Sequence, residues 1–450
     1  MSRKRGRIIL VGVIGLNLSR AEFYEKELTF QVSCSYGPGR YDDNYEQKGI
    51  DYPLSFVRWT EKRNFETVLK SISTGGLKVK ELITEVIDLE NFIEIYGEIG
   101  SSKSIASILK YKESNKPDFS VDVTKKENTK SKGKIAIIGA GNFTKMTMLP
   151  ALKGIEAQLE YIVSAGGVNG TALAKKHGIA KSATNYNEVL NDEGTDVVLI
   201  TTRHNLHAEM VVEALIKDKH VFVEKPLALN LEELNKIEDA YKNSKGSLMI
   251  GFNRRFSPHI VKMKSLIGDS QMNVVATMNA GAIPANVWVH DMSVGGGRII
   301  GEACHYMDLI VHLTGSKIKA VCMNAMGDNP QENTDNATIL LKLENGSTGV
   351  INYFANGAKA YSKERIEVYS QERTLVMDNF LKTKGYGFKG FSKLKTGLDK
   401  GHKAQFKQIV DNTKAGNGIE LIPYNELINV TKASFAAIES LKTGNWVMVS

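Results

Sequence analysis

A charged pair followed by a proline, Glu224-Lys225-Pro226, stands directly after the apolar stretch His220–Val223. A short apolar stretch of this kind is typical of a buried parallel strand, and ligands bind at the carboxyl ends of such strands. A lysine fixed there can donate a hydrogen bond to a substrate oxygen, and partial burial would lower its pKa and help it to move a proton. A solvated lysine ahead of a turn is the alternative, and these residues alone leave the two interpretations equal.

A glycine loop lies nearer to the N-terminus. Gly139 and Gly141 follow the apolar run Lys134–Ile138 and precede a predicted helix over 146–153. The first glycine permits a tight turn, and the second lets the backbone approach a pyrophosphate that the helix N-terminus binds. Thr144 replaces the third glycine of the usual fingerprint. The strand–loop–helix order predicts a dinucleotide site, with a plain strand-to-helix turn as the alternative.

The position that binds the ribose of a dinucleotide carries no carboxylate. A NAD site usually has Asp or Glu about 20 residues after the glycines, at the end of the second strand. This sequence reads Ser164-Ala165-Gly166-Gly167 there. Ser164 can hydrogen-bond either a ribose hydroxyl or a 2′-phosphate, so we expect it to contact the cofactor, and NAD and NADP both stay open.

Predicted strands and helices alternate around these motifs from about residue 132 to residue 252. Beside the elements already named, strands are predicted at 161–163, 196–201 and 248–251, and helices at 171–177, 208–217 and 231–242. Such alternation is typical of an α/β fold with a doubly wound parallel sheet. From residue 253 the predicted strands follow one another across short turns, with a long helix over 299–313. That pattern predicts an α+β domain with a large, mainly antiparallel sheet.

Composition excludes several classes of protein. A chain of 450 residues is expected to form two or three domains, and 42% hydrophobic and 24% charged residues are ordinary for a globular protein. The net charge of +8 is scattered, so no nucleic-acid partner is expected. No apolar run reaches the roughly 18 residues of a membrane span. The three cysteines form no C-x-x-C pair, which argues against disulfide and cysteine–zinc frameworks and favours the cytoplasm.

Taken together, these motifs resemble the glucose–fructose oxidoreductase and inositol 2-dehydrogenase family (Gfo/Idh/MocA). The matching segments occur in the family's order, at 139–144, 224–229, 251–258, 295–297 and 302–308. The resemblance covers about residues 132–450. It implies an NAD(P)-binding Rossmann domain over 132–252 and a substrate-binding and oligomerisation domain over 253–450. It also implies reversible hydride transfer between NAD or NADP and a carbinol of a sugar, cyclitol or nucleotide sugar.

The resemblance gives catalytic roles to Lys225 and His305. It implies that Lys225 contacts the nicotinamide region and the substrate hydroxyl, and that His305 is the acid/base. Hydride leaves a carbinol carbon only as the hydroxyl proton is removed, and imidazole suits that transfer near neutral pH. The family often has an aspartate four residues before the histidine, where this sequence has Gly301. Glu302 shares a helix face with His305, and we expect it to orient the imidazole.

The same motifs supply the remaining candidate site residues. The expected cofactor-binding residues are Gly139, Gly141, Asn142, Phe143, Thr144, Ser164, Thr201, Thr202, His204, Glu224 and Lys225. The expected substrate-binding residues are Asn253, Arg254 and His305. One arginine of the pair Arg254-Arg255 is expected to bind ligand oxygens, and the other to form an ion pair. The helix also spaces Glu302, His305, Asp308 and His312 as metal ligands could be, but a carboxylate-bridged site needs a second such helix, so no metal is expected.

Residues 1–111 resemble the C-terminal part of a medium-chain alcohol dehydrogenase, and the polar residues 112–131 are expected to be a linker. The front segment lacks zinc ligands and a glycine fingerprint within a full βαβ unit, so we predict a catalytically inert partial α/β module. A remnant, a split-gene product, and half of a complex with a separately encoded front half are equally consistent. Basic residues before the apolar run 8–16 suggest a signal peptide, but Gly12 and Gly15 interrupt it and favour a strand at 7–13.

Two other functions are also consistent with these motifs. A lyase or isomerase could use bound nicotinamide without net redox change, and a dinucleotide-binding or assembly protein could use the fold without catalysis. The resemblance implies a homo-oligomer formed through the open face of the second sheet.

Overall fold

The computed structural model describes residues 2–97, 103–112, 119–124 and 133–449. The chain divides into two compact units, one up to residue 117 and one from residue 118 onwards. Most of the segment 112–131, predicted as a linker, lies outside the described residues.

The first unit contains two small parallel strand pairs. Strand β1 (Arg7–Leu10) pairs with β2 (Thr29–Val32), and β3 (Ile83–Asp88) pairs with β4 (Ala106–Lys110). Its helices are α1 (Arg20–Lys26), α2 (Asp43–Glu46), α3 (Glu61–Ser73) and α4 (Phe92–Gly97). None of these four helices buries a residue, and within the described residues neither strand pair has a third strand. Parallel strands are ordinarily covered on both faces, so this unit leaves unusually much apolar surface exposed.

The second unit begins with a seven-stranded sheet in the order β11-β10-β9-β6-β7-β8-β5. Its strands are β5 (Ser120–Asp122), β6 (Lys134–Ile138), β7 (Gln158–Val163), β8 (Lys181–Ala183), β9 (Thr195–Ile200), β10 (His220–Val223) and β11 (Leu248–Ile250). All neighbours are parallel except β5 and β8. The predicted doubly wound sheet is confirmed, and three residues of the predicted linker form its antiparallel edge strand.

Helices cover this sheet and begin or end at recognisable residues. They are α5 (Leu149–Leu152), α6 (Val168–His177), α7 (Asn187–Leu190), α8 (His207–Ile216) and α9 (Leu231–Lys242). Asn230 caps α9 by accepting from the backbone N–H of Glu233. A π turn, Thr144–Met148, precedes α5. Pro150 has no backbone N–H and so cannot donate the regular helical hydrogen bond to a carbonyl in the preceding turn. The loss of this hydrogen bond accounts for the wider turn.

The rest of the second unit is built on a nine-stranded sheet in the order β19-β18-β17-β16-β12-β15-β14-β13-β20. Its strands are β12 (Asn273–Asn279), β13 (Ile318–Ala325), β14 (Asn336–Leu343), β15 (Thr348–Phe354), β16 (Glu364–Ser370), β17 (Arg373–Asp378), β18 (Lys382–Tyr386), β19 (Lys393–Lys395) and β20 (Val447–Met448). Only β12 and β15 pair in parallel. The predicted large, mainly antiparallel sheet is therefore confirmed.

Helices cover one face of the second sheet and leave the other open. They are α10 (Pro258–Ile267), α11 (Cys304–Thr314) and α13 (Tyr424–Thr443), with a π turn, Ile299–Ala303, leading into α11. Helix α12 (His402–Lys414) lies instead against α5 and the first sheet, where Phe406 packs against Phe222. Since side chains alternate between faces, Leu340, Phe354 and Tyr369 lie on the uncovered face, where they are about 40% exposed. No helix in the described part of the chain is long and apolar enough to cross a membrane.

Candidate active site

The glycine loop follows β6 and is locked against the end of β9. Gly139 has a φ of 115°, and a Cβ there would lie 2.8 Å from the carbonyl carbon and oxygen of Thr201. Glycine is required at this position by both the backbone conformation and the close approach. The hydroxyl of Thr144 bonds the Gly139 carbonyl and the Thr201 hydroxyl, each at 2.7 Å. Thr144, in place of the third glycine, supports the loop from inside the fold.

A cavity of about 1070 Å³ opens at the carboxyl ends of the parallel strands and reaches the helix that carries His305. The predicted site residues that line it are Gly139, Gly141, Asn142, Phe143, Thr201, Thr202, His204, Glu224, Lys225, Asn253, Arg254 and His305. The glycine loop, Lys225 and His305 are far apart in the sequence but line the same cavity.

Ser164 does not line the cavity, contrary to the expectation that it contacts the cofactor. Its Cβ lies 3.1 Å from where a side chain on Gly170 would begin, so the serine packs against α6. Asn169, Leu173 and Lys176, on the same helix, line the cavity instead.

Lys225 is held at the cavity wall by a backbone carbonyl. Its Nζ donates to the Gly301 carbonyl at 2.7 Å. The carboxyl of Glu224, beside it in sequence, is buried, and burial raises its pKa to about 7 against the opposing charge of Lys225. Because Glu224 with this pKa is only partly ionised near neutral pH, it offsets only part of the positive charge of Lys225.

The imidazole of His305 is buried and electrically neutral. Burial, followed by the charges of Arg254 and Lys225, lowers the pKa of His305 well below its usual range. Its ring meets Phe252 edge to face at 6.0 Å, and its Nδ1 has no hydrogen-bond partner among the described residues. A neutral imidazole at the wall of the cavity can accept a proton from a bound hydroxyl.

Glu302 does not orient His305, contrary to the expectation from their shared helix face. Its carboxylate accepts from Arg298 at 3.1 and 3.2 Å and from the Tyr353 hydroxyl at 2.5 Å. Burial acts to raise the pKa of Glu302, but the charge of Lys225 and the bonds from Arg298 and Tyr353 lower it. The ion pair with Arg298 directs the carboxylate away from the imidazole.

The space beside Gly301 is filled by His204. A Cβ at Gly301 would lie 3.1 Å from Cε1 of His204. Nδ1 of His204 bonds the Gly295 carbonyl at 2.7 Å, and its ring packs edge-on against Trp288 at 4.9 Å. Because a carbonyl only accepts, Nδ1 carries the proton and Nε2 keeps a lone pair. Burial, and then the charge of Lys225, lower the pKa of His204 to about 3.

Both arginines after β11 form buried ion pairs, whereas the sequence suggested that only one would. Arg255 binds Asp308 at 2.5 Å and Glu426 at 2.9 Å. Arg254 binds Glu364 at 2.7 Å and also lines the cavity. Asp308 and Glu302 are thus both engaged by arginine, so the carboxylates with metal-ligand spacing already have partners.

Lys400 and His402 also line the cavity, and sequence analysis missed both. Lys400 forms an ion pair with Glu364, and Asn253 Nδ2 donates to the Lys400 carbonyl at 2.7 Å. At Gly401, between them, φ is 90° and a Cβ would lie 2.3 Å from the Asn253 carbonyl. The sequence signal that could have identified this segment is a glycine flanked by a lysine and a histidine directly before a predicted helix.

Replacing Glu364 with glutamine is expected to lower the free energy of unfolding by about 3 kcal/mol, because Arg254 and Lys400 lose their buried counter-charge. Burial acts to raise the pKa of Glu364, but those two cations lower it to about 2. This stabilisation is present above the unfolded-state pKa of about 4.3 and is lost as the pH falls towards 2. Denaturant titrations between pH 7 and about 3 measure both effects.

Glu367→Gln is the matched control on the same strand. Its carboxylate pairs with Arg365 on the less buried face, and the expected loss is below about 1 kcal/mol. Equal stability of the two variants at neutral pH would contradict the importance of the Glu364 pair.

Comparison with protein-family models identifies both domains of the second unit. Residues 133–252 match the model described as "Oxidoreductase family, NAD-binding Rossmann fold", and residues 266–376 match the GFO/IDH/MocA C-terminal domain.

Named relatives match over the same region. Myo-inositol 2-dehydrogenase of Thermotoga maritima is 27% identical over 217 residues, covering 47% of this chain and 65% of that protein. The scyllo-inositol 2-dehydrogenase (NAD(+)) of Bacillus subtilis is 26% identical over 295 residues, covering 60% of this chain and 83% of that protein. The structure of levoglucosan dehydrogenase in complex with NADH and levoglucosan superposes with a TM-score of 0.61 at 20% identity, over 70% of this chain and 99% of that one. At 20% identity, the similarity to levoglucosan dehydrogenase shows the fold alone.

Proposed function

Because this chain belongs to the GFO/IDH/MocA oxidoreductase family, we propose that it transfers hydride between NAD or NADP and a carbinol of a sugar, cyclitol or nucleotide sugar. The observation that carries the proposal is the single cavity shared by the glycine loop, Lys225 and His305. Inositol 2-dehydrogenases among the relatives support a polyhydroxylated ring as substrate.

The glycine loop fits a dinucleotide on geometric grounds. Gly141 has nothing within 4 Å of the position that a Cβ would take, so the backbone is open to the cavity there. Asn142, Phe143 and Thr202 would hold the cofactor beside it. When bound, NAD or NADP supplies the hydride acceptor.

Lys225 and His305 divide the proton chemistry between them. Lys225 donates a hydrogen bond to the carbinol oxygen, which favours loss of its proton, and the neutral imidazole of His305 accepts that proton as the carbonyl forms. His204 packs beside Gly301, whose carbonyl holds Lys225, and so keeps the lysine in place. Asn253 and Arg254 line the same cavity and contact the substrate there.

Calorimetric titration with NAD⁺, NADH, NADP⁺ and NADPH tests the proposal. We expect one oxidised and reduced pair to bind at micromolar strength, about −8 kcal/mol, and nicotinamide absorbance to change with a cyclitol or sugar. Failure of all four to bind contradicts the oxidoreductase function. A cofactor that stays bound while substrate turns over without release of reduced nicotinamide would indicate a lyase or isomerase.

We also propose that the open face of the second sheet pairs subunits into a homo-oligomer, supported by the partly exposed Leu340, Phe354 and Tyr369. Three free thiols, Cys34, Cys304 and Cys322, support the cytoplasm as the compartment. Light scattering after size exclusion measures the subunit number.

The first unit is proposed to be a catalytically inert medium-chain dehydrogenase module, either a remnant, a split-gene product or half of a complex with a separately encoded front half. Its two parallel strand pairs and the exposed Val11, Val13 and Ile14 support this role.

A further inference from the structure

We propose that the substrate of this site carries an anionic substituent, a carboxylate or a phosphate, which Arg254 and Lys400 bind. The inference rests on the hydride-transfer function proposed above and adds the chemical class of its substrate.

Cationic side chains dominate the end of the cavity that holds His305. Lys225, Arg254 and Lys400 all line it. Arg254 and Lys400 share the single carboxylate of Glu364, and Lys225 is bound to a neutral carbonyl. Three cations and one carboxylate leave this wall with a net charge of +2.

Neighbouring acids offset only part of that charge. Asp399, next to Lys400 in the chain, acts on His402 against the cations but does not line the cavity. Glu224 lines the cavity, but burial raises its pKa to about 7, so it is about half protonated near neutral pH. Glu302 is paired with Arg298, which also pairs with Asp335, and it does not line the cavity. The excess positive charge therefore faces the cavity.

The buried histidines at this end respond to the same cations. Burial, then Arg254 and Lys400, lower the pKa of His402 to about 4. Burial, then Arg254 and Lys225, lower the pKa of His305 well below its usual range. Both rings are neutral at pH 7, so they add no charge, and their shifts agree with a positive potential in the space between them.

Lys400 is placed by the fold and is not a mobile surface lysine. Its backbone carbonyl accepts from Asn253, and Gly401 lets the chain approach the Asn253 carbonyl. Glu364 is completely buried and holds Arg254 and Lys400 beside each other. Two donors held side by side match the two oxygens of a carboxylate or phosphate.

The phosphates of a dinucleotide do not account for this pair. The pyrophosphate is expected at the glycine loop, where Lys145 lines the cavity, whereas Arg254 and Lys400 lie with His305. With a neutral polyol bound, Arg254 and Lys400 would share Glu364 as their one counter-charge, whereas an anionic substituent supplies a second and adds charge-assisted hydrogen bonds.

Titration of the NADH-loaded protein with D-glucose, D-glucuronate and D-glucose 6-phosphate tests the inference, since the three differ at one substituent. We expect at least one anionic sugar to bind about 10-fold more tightly than glucose, with a preference that weakens as salt is raised. Lys400→Gln should remove most of the preference, and Lys400→Arg should retain it. Lys403→Gln changes an exposed lysine in the first turn of α12, the helix that follows Lys400; it is the matched control and should keep the preference.

Tighter binding of glucuronate identifies a carboxylate, and tighter binding of glucose 6-phosphate identifies a phosphate. Glucose binding as tightly as both anions, no binding of either anion, or a preference unaffected by Lys400→Gln overturns the inference. NADH affinity is measured first in each variant. Failure to bind NADH counts against the hydride-transfer function alone, because the same sugars can then be titrated into the cofactor-free protein.

Discussion

Replacing Lys225 with methionine is expected to lower kcat for hydride transfer by about 10³-fold while NADH affinity changes by less than about threefold. Methionine keeps the apolar stem but has no donor for a carbinol oxygen. The hydrogen bond from Nζ to the Gly301 carbonyl is also lost, and the rest of the cavity wall is unchanged. Initial rates with a substrate found in the sugar and cyclitol screen, alongside NADH titration, measure the two effects separately.

Lys217→Met is the control for this variant, since Lys217 is an exposed lysine in the same domain and touches no part of the cavity. Its rate should match that of the unmodified protein. A Lys225→Met protein with unchanged kcat would remove the lysine from the chemistry and favour a role in binding or assembly. Recovery of rate in Lys225→Arg would show that another cationic hydrogen-bond donor can replace the lysine.

Gly139→Ala is expected to lower the free energy of unfolding by about 3 kcal/mol and to abolish measurable NADH binding. The added Cβ would lie 2.8 Å from the carbonyl of Thr201, and φ at this position is 115°. Alanine would restrict the unfolded chain and so stabilise by less than about 1 kcal/mol, which is too little to offset that clash. Denaturant unfolding and NADH titration measure the two losses.

Gly141→Ala separates cofactor binding from folding. Its Cβ would meet nothing within 4 Å, so stability should stay within about 0.5 kcal/mol of the unmodified protein. NADH affinity should still fall, because the methyl group projects into the space expected for the pyrophosphate. If Gly141→Ala binds NADH normally, the loop does not hold the cofactor as proposed.

Long, strongly patterned elements could be predicted from the sequence. The bounds of α9 and β10 are those expected from periodicity and, for α9, from its cap Asn230. Strands β18, β19 and β20 were missed because they are short and polar, and their pairing partners, not their own residues, fix them. Strand β5 was missed for the same reason.

A site residue could be predicted from the sequence where a single short motif contains both the residue and the strand end or turn that positions it. Gly139, Gly141 and Lys225 lie in such motifs. Glu302 could not be placed, because helical spacing says which face it shares and not that Arg298 and Tyr353 hold its carboxylate. Lys400 could not be placed either, since only the approach of Gly401 to Asn253 brings its segment to the cavity.

Two π turns, Thr144–Met148 and Ile299–Ala303, lie at the site. The geometry of the site therefore depends on the number of residues in each of these two turns. A residue in a regular helix turns the chain by about 100°. Loss of one residue from the second turn would rotate its carbonyls relative to α11, so the acceptor now at Gly301 would no longer face Lys225. Insertions and deletions in these two segments should therefore be rarer among related chains than substitutions, and relatives lacking the extra residue should hold the lysine by another acceptor.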